Sequence, residues 1–257
     1  RALAPGLKVE YQSLAEGSEA ADVADARLAA IYVAADQPPT PFLSAGKFRA
    51  TLTGYLKLRL RGEYDFSLDG RGSVKLSFND QLILEAEGDD LTQVKPVHVE
   101  LVKGYNKLQL EYKSPADGDA TLRLYWASDE FPAEPIFPTM LMHDGRDMSW
   151  QSGQAMRQGR LLLAQHHCTK CHAPTEELLS QLTDGAGMPE MHRDAPRLIA
   201  TGGRLQTAWL ENWILDPAKL RNRTTMPQLL AHLGEDVSHQ QAADIAAYLS
   251  GQRDEHF

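Results

Sequence analysis

The stretch Leu56-Lys57-Leu58-Arg59-Leu60-Arg61 alternates leucine with a basic residue throughout. Successive side chains of a β-strand point to opposite faces, so this alternation predicts a strand whose leucines face a core and whose cations face solvent. Gly62 follows, and the next run, Tyr64–Leu68, alternates in the same way. Two such runs separated by a glycine predict neighbouring antiparallel strands.

The same period of two extends from Phe48 to Trp126, and turn residues such as Asp69-Gly70 separate the runs. Further strands are predicted at Val74–Phe78, Gln81–Ala86, Val97–Val102, Asn106–Tyr112 and Thr121–Trp126. Short strands that recur roughly every 8 to 12 residues are typical of an antiparallel sandwich or barrel. We therefore predict that residues 1–130 form an all-β antiparallel sandwich.

Four motifs stand in order along this half: Gly6–Tyr11, Gly54–Leu56, Gly62–Phe66 and Leu122–Trp126. Together they resemble the protective-antigen-type, lectin-like β-sandwich. The resemblance implies a module for binding or docking, with a glycan or a cell-surface ligand as its partner.

In the sugar-binding members of that family, two adjacent aspartates after the strand that corresponds to Tyr64–Leu68 hold calcium, which holds the glycan. Here the pair is Leu68-Asp69. Calcium takes about six to eight oxygen ligands, and leucine offers only its backbone carbonyl. Calcium is therefore disfavoured in the sandwich. We expect Asp69 to be a turn residue and the pair Asp89-Asp90 to be solvated.

The alternation stops after residue 128, and prolines gather at Pro132, Pro135 and Pro138. Closely spaced prolines are typical of an extended, semi-rigid connector. We predict a linker over residues 131–150.

Beyond the linker the hydrophobic period becomes that of a helix. Helices are predicted at Ser152–His167, at Thr207–Leu215 and at Ser238–Leu249, with Ser238 as the N-cap of the last. Pro217 ends the second helix, and Gly251 follows the third. Residues 151–257 are therefore predicted to form an all-α domain.

The five residues Cys168-Thr169-Lys170-Cys171-His172 contain both cysteines of the chain. The spacing C-x-x-C-H is that of covalent haem attachment, in which two thiols bond to the vinyl groups and the histidine binds iron. One covalent haem c is predicted at Cys168, Cys171 and His172. The alternatives are a zinc site completed by neighbouring histidines, and a dithiol redox pair, which is expected after a strand.

Five further features surround that pentapeptide: Gly159, Ala195–Leu198, Trp209-Leu210 with Trp213, Thr225–Pro227 and Asp244–Leu249. With it, they resemble the class I cytochrome c family over nearly all of residues 152–257. The resemblance implies an all-α cytochrome c fold that carries single electrons.

The sixth iron ligand is predicted to be Met226, which lies beside Pro227 in a loop before the last helix. A thioether ligand favours ferrous iron and raises the reduction potential. Four other residues compete for this position: Met188, Met191, His192 and His232.

The resemblance implies further haem contacts. The carbonyl of Pro196, in the motif that ends at Leu198, would accept a hydrogen bond from His172. Trp209 and Trp213 would line the haem pocket or reach a propionate, although a tryptophan pair four residues apart on a helix is also common in a core. Propionate pairing is expected from Arg204, or from one of three residues that could instead form a rim for docking an acidic partner: Lys219, Arg221 and Arg223.

The chain has 257 residues and a formal net charge of −9. An acidic chain argues against nucleic acid as a partner, because phosphates attract clustered Lys and Arg. No apolar run is long enough to cross a bilayer. The chain begins at Arg1 without methionine, so we expect a processed protein whose removed segment directed it to the periplasm or to another extracytoplasmic location, or tethered it to a membrane.

These features predict a monohaem one-electron carrier, not an enzyme, that works with redox partner proteins and carries a sandwich for docking. Three alternatives remain. A weak sixth ligand would let the haem bind small ligands or reduce peroxide. The sandwich could be the principal module, binding a glycan with the haem as a tethered relay. The chain could also be the haem-bearing piece of a larger multidomain oxidoreductase.

Overall fold

The computed structural model describes residues 2–166, 198 and 200–252. The chain divides into two compact units, Arg1–Gly153 and Gln154–Phe257. Each has its own secondary structure: strands in the first and helices in the described part of the second.

The first unit is built from short strands. Their bounds are β1 Leu3–Pro5, β2 Leu7–Ser13, β3 Ala21–Ala26, β4 Ala30–Val33, β5 Phe48–Leu58, β6 Gly62–Gly70, β7 Gly72–Phe78, β8 Gln81–Gly88, β9 Val97–Leu101, β10 Gly104–Lys113, β11 Ala120–Ser128, β12 Phe131–Pro135 and β13 Leu141–Asp144. Two 3₁₀ turns lie between strands, at Leu91–Gln93 and Pro138–Met140.

The strands form two antiparallel sheets. The larger has eight strands in the part of the chain described, with the order β1-β13-β5-β10-β7-β8, while β2 pairs with β5 and β3 pairs with β2. The smaller has the order β12-β11-β6-β9, with β4 on β11. The predicted all-β antiparallel architecture of the first half is confirmed.

The core lies between the two sheets. On β5 the buried side chains alternate with outward ones, as the sequence predicts, but the pattern ends at Leu58. Leu60 lies beyond the strand and is 71% exposed. The core includes large side chains from both sheets: Leu52, Phe66, Leu76, Leu110, Tyr112, Leu122 and Trp126.

The segment predicted as a linker at residues 131–150 instead belongs to the sandwich. Strand β12 pairs with β11, and β13 lies between β1 and β5. Ile136 and Leu141 are buried in the core. The prolines mislead because Pro132 and Pro135 lie on β12, an edge strand, where a missing N–H is tolerated.

Contacts continue to the end of that segment. Lys8 on β2 forms an ion pair with Asp147, whose pKa lies well below its usual range, chiefly because of the hydrogen bond from Lys8. The ring of Trp150 packs edge-on against that of His143, with centroids 4.8 Å apart. The first unit therefore extends to about residue 153.

In the described residues the helices are α1 Met148–Gln165, α2 Thr201–Arg204, α3 Thr207–Leu215, α4 Pro217–Leu220 and α5 Glu235–Ser250. The bounds of α3 agree with prediction. Helix α1 begins four residues before Ser152, because the Asp147 carboxylate accepts hydrogen bonds from the first-turn N–H groups. Helix α5 begins three residues before Ser238, with Gly234 at its N-cap. In the ranges described, no helix combines the length and apolar character needed to span a bilayer.

Candidate functional site

The residues predicted to attach the haem lie outside the described residues. These are Cys168, Cys171, His172 and Pro196, together with the competing ligands Met188, Met191 and His192. The described helices border that segment, and several of the other predicted haem residues lie on them or in their loops.

Helices α1 and α5 touch at Gly159. A Cβ atom built on Gly159 would lie 2.2 Å from the backbone oxygen of Asp244 and 2.8 Å from the Cβ of Tyr248. Real Cβ contacts are not this short, so only glycine allows the two backbones to approach so closely. Leu162 of α1 and Ile245 of α5 are buried. The contact brings the end of α1, just before Cys168, against the last helix.

Helix α3 packs against α5 through its buried residues Leu210 and Ile214. Trp209 and Trp213 lie on a neighbouring stripe and are half-buried. Their rings stack with centroids 5.1 Å apart and an interplanar angle of 11°. The pair forms a flat apolar surface that the described residues cover only in part.

Met226 lies in the loop between α4 and α5 and is half-buried, whereas Pro227 is exposed. The backbone N–H of Met226 donates to the hydroxyl of Thr224, at 3.2 Å. The buried side chain of Leu230 holds the other end of the loop. The loop therefore presents Met226 from a fixed backbone position.

Leu198 is half-buried, and its carbonyl accepts a hydrogen bond from the hydroxyl of Thr201 at the start of α2. The N–H of Gly202 donates to the carbonyl of Gln252 at 2.9 Å, which holds α2 against the end of α5. Arg204, in the last turn of α2, is exposed. Leu198 and Arg204 thus lie beside the C-terminal end of α5.

Near the end of α1, His166 makes two contacts that the sequence did not predict. His166 Nε2 lies 2.9 Å from Oε1 of Gln241 on α5, and the His166 and His232 rings are 6.4 Å apart. This contact uses Nε2, so a metal bound by His166 would have to take Nδ1, and the zinc alternative stays open at this residue.

Asp244 is a buried carboxyl group in the contact between α1 and α5. Its burial raises its pKa, and a hydrogen bond from the Gln240 side chain, at 3.0 Å, partly opposes that effect. Burial likewise raises the pKa of Tyr248. An acidic residue on the apolar face of a predicted helix is the signal that could have marked this position.

In the sandwich, Asp69 lies within β6 rather than in a turn. It is opposite Arg123 of β11, and the guanidinium of Arg123 binds its carboxylate at 3.0 Å. The turn prediction for Asp69 is wrong because cross-strand pairing continues through Gly70.

The loops at that end of the sandwich hold further acidic residues, and each has a partner. Arg71 binds Asp89 at 3.2 Å and Asp117 at 3.3 Å. The Asp90 side chain accepts hydrogen bonds from Thr92, which lower the pKa of Asp90. Where residues are described, no three His, Cys, Asp or Glu side chains are placed to hold a metal ion. Calcium would have to compete with the guanidinium of Arg71 for the carboxylates of Asp89 and Asp117.

The comparison with protein families agrees with this architecture. The PA14 domain model matches residues 3–136, just over half of the chain. The chain belongs to the PA14 domain family. PA14 is the lectin-like sandwich that the four motifs of the first half resemble. The match does not extend to residues 151–257, so it does not bear on their resemblance to cytochrome c.

Solved structures similar to this PA14 protein are distant. They include an anti-sigma factor domain-containing protein from Clostridium clariflavum (18% identity, TM-score 0.47, 54% of this chain and 47% of that one). Another is the PA14 domain of the antifreeze protein MpAFP (14%, 0.46, 56% and 93%). A third is a PA14 sugar-binding domain from an RTX adhesin (18%, 0.45, 54% and 98%). The chain thus spans about half of the first of these. No curated protein matches it by sequence.

Proposed function

We propose that this PA14 protein is an extracytoplasmic one-electron carrier, not an enzyme, whose residues 151–257 form a class I cytochrome c domain with one covalent haem. The observation that carries the proposal is Cys168-Thr169-Lys170-Cys171-His172, which holds every cysteine of the chain at the attachment spacing. Redox partner proteins would exchange electrons with it.

The described residues fit such a group. Trp209 and Trp213 offer a half-buried aromatic surface, and Met226 offers a soft sulfur ligand on a loop fixed at Thr224 and Leu230. A six-coordinate haem supplies reversible one-electron chemistry with little change in ligand geometry. The chemistry of these residues supports a haem more than a zinc site.

Each residue would have its own role. The thiols of Cys168 and Cys171 would fix the group covalently, and His172 and Met226 would bind its iron. The Pro196 carbonyl would orient the His172 ring by accepting its N–H. Leu198, Pro227 and the two tryptophans would exclude water, and Arg204 would pair with a propionate.

The test is the covalent bond itself. The full chain, matured in cells that attach haem c, should keep its colour through acid–acetone extraction and should show an intact mass raised by one haem. Replacement of both cysteines, Cys168→Ala with Cys171→Ala, should abolish the colour and the added mass. A bare chain in the unsubstituted protein would rule the proposal out.

The same preparations test the sixth ligand, with two methionines as a matched pair. Met226→Ala should convert the low-spin spectrum to a high-spin one that binds carbon monoxide, because the iron loses its thioether ligand. Met188→Ala should leave the spectrum unchanged. The reverse result would assign the ligand to Met188, and two silent variants would exclude both methionines.

Membership of the PA14 family favours a second candidate, a glycan-binding sandwich, because the similar structures include a PA14 sugar-binding domain from an RTX adhesin. The contacts of Asp69, Asp89 and Asp117 with arginines predict that any such binding does not use calcium. On a glycan array, we expect equal signals in millimolar calcium and in chelator, and no change in melting temperature. A glycan signal that chelator removes would show that calcium displaces the arginines.

A further inference from the structure

Two connections between the sheets lie side by side at one end of the sandwich. Residues 59–61 join β5 to β6, and residues 102–103 join β9 to β10. Leu58 pairs with Gly104 and Gly62 pairs with Leu101, so both ends of one connection adjoin those of the other. Segments about 40 residues apart in sequence therefore form one surface.

Apolar side chains protrude from this surface. Leu60 is 71% exposed, Val102 58% and Tyr105 43%. Single exposed hydrophobic residues are ordinary, but Leu60 and Val102 lie on adjoining connections and Tyr105 lies at the start of β10, so the three form a patch. Aliphatic side chains that protrude from turns can insert into a fluid apolar environment more readily than they can fit a rigid binding pocket.

The same surface carries unneutralised positive charge. Lys57, Arg59, Arg61 and Lys103 are exposed, and within the described ranges none has an ion-pair partner. The Lys57 ammonium lies 5.7 Å from the centre of the Tyr105 ring. Elsewhere in the sandwich several basic residues are ion-paired: Lys8, Arg49, Arg71, Lys75, Lys107 and Arg123. We call residues 57–61 and 102–105 the basic tip.

Hydrogen bonds from a buried side chain hold the backbone of the tip at Val102. Asn106 is completely buried, and its side-chain amide donates to the Val102 carbonyl at 2.8 Å. Its side-chain oxygen accepts from the Val102 N–H at 3.1 Å. Asn79 donates to the same oxygen at 3.2 Å. A buried residue therefore fixes the turn that exposes Val102, so the exposure is built into the fold.

Acidic groups also lie near residues 59–61. A cavity of about 720 Å³ is lined by residues 57–61 of the tip and by Glu63, Asp129 and Glu130, whereas residues 102–105 lie outside its lining. Glu63 lies 3.5 Å from His98. Three cations, Lys57, Arg59 and Arg61, thus line the cavity with two remaining carboxylates, Asp129 and Glu130, and Lys103 adds a further cation outside it.

We propose that the basic tip docks the protein on a bilayer that contains anionic phospholipid. The chain as a whole has a net charge of −9, so it would be repelled by such a bilayer except through an end that is locally positive. Leu60, Val102 and Tyr105 enter the interface, and the four cations meet the headgroups. The docking does not depend on the haem.

Vesicle co-sedimentation of the full chain tests this. We expect binding to vesicles of phosphatidylglycerol and phosphatidylcholine, no binding to phosphatidylcholine alone, and release as salt screens the charges. Arg59→Gln with Arg61→Gln should weaken binding about thirtyfold, since each cation near an anionic surface contributes about a factor of five. Leu60→Ser with Val102→Ser should weaken it as well.

The control removes two exposed cations elsewhere, Lys47→Gln with Lys95→Gln. These precede β5 and β9, at the strand ends opposite the tip, and they should leave binding unchanged. Absence of vesicle binding, or equal weakening by both charge variants, overturns the proposal. Binding of an acidic polypeptide such as polyglutamate through the tip, without vesicle binding, would assign the surface to a protein partner instead.

Discussion

A fragment that ends at residue 130 is expected to remain unfolded, whereas one that ends at residue 153 should fold like the sandwich of the full chain. The shorter fragment is the domain that the sequence predicted, and it lacks β12 and β13. The physical reason is that the missing segment contributes a strand to each sheet and buried side chains to the core.

The loss has two parts. Ile136 and Leu141 are almost fully buried, and deleting a buried aliphatic side chain costs about 2–5 kcal/mol of unfolding free energy each. Removal of β13 also leaves β1 without its neighbouring strand. It uncovers the edge of β5 at Leu56, which pairs with Leu141. Because a domain is stable by only about 5–15 kcal/mol, these losses consume most of its stability.

Near-ultraviolet circular dichroism and urea titration of both fragments provide the measurement. The 1–153 fragment should give a cooperative transition and fixed aromatic signals, since it keeps the contact of Trp150 with His143. The 1–130 fragment should give neither. A cooperative transition in the shorter fragment would restore residues 131–150 to the role of a linker.

The sequence predicted the central strands well because each carries its own alternation. The outer strands are different: half of β3 is alanine, β4 has only four residues, and their places are set by pairing with β2 and β11. Such strands carry little periodic signal, since one face and often one edge meet solvent. The prolines of β12 added a misleading local signal.

The candidate sites, like the outer strands, could be predicted only in part from the sequence. Family resemblance singled out Gly159 and Met226, but only the fold shows that Gly159 is needed where two backbones meet. The pattern of residues 56–61 placed Arg59 and Arg61 on an outer face. No local pattern could show that Val102 lies beside them, because that depends on the register of β5 with β10 and of β6 with β9.

Replacement of Gly159 by serine is expected to destabilise the second unit strongly. The added Cβ would lie 2.2 Å from the Asp244 carbonyl oxygen, which belongs to helix backbone and cannot move alone. Helices α1 and α5 would have to separate, which opens the core around Leu162 and Ile245. Overpacking of this kind costs about 3 kcal/mol, enough to lower the melting temperature of a unit of this size by about 15 °C.

Gly234→Ser supplies the matched control, because no heavy atom lies within 4 Å of a Cβ at that position and its φ of −63° suits any residue. Serine is also a favourable N-cap, so this variant should keep or slightly raise stability. Hydrogen exchange of the full chain separates the two effects. Gly159→Ser should speed exchange in α1 and α5 and leave the sandwich strands unchanged, whereas Gly234→Ser should change neither. Protection of α1 and α5 that survives Gly159→Ser would mean that the two helices do not depend on this close contact, and that the glycine is not what holds α1 against the last helix.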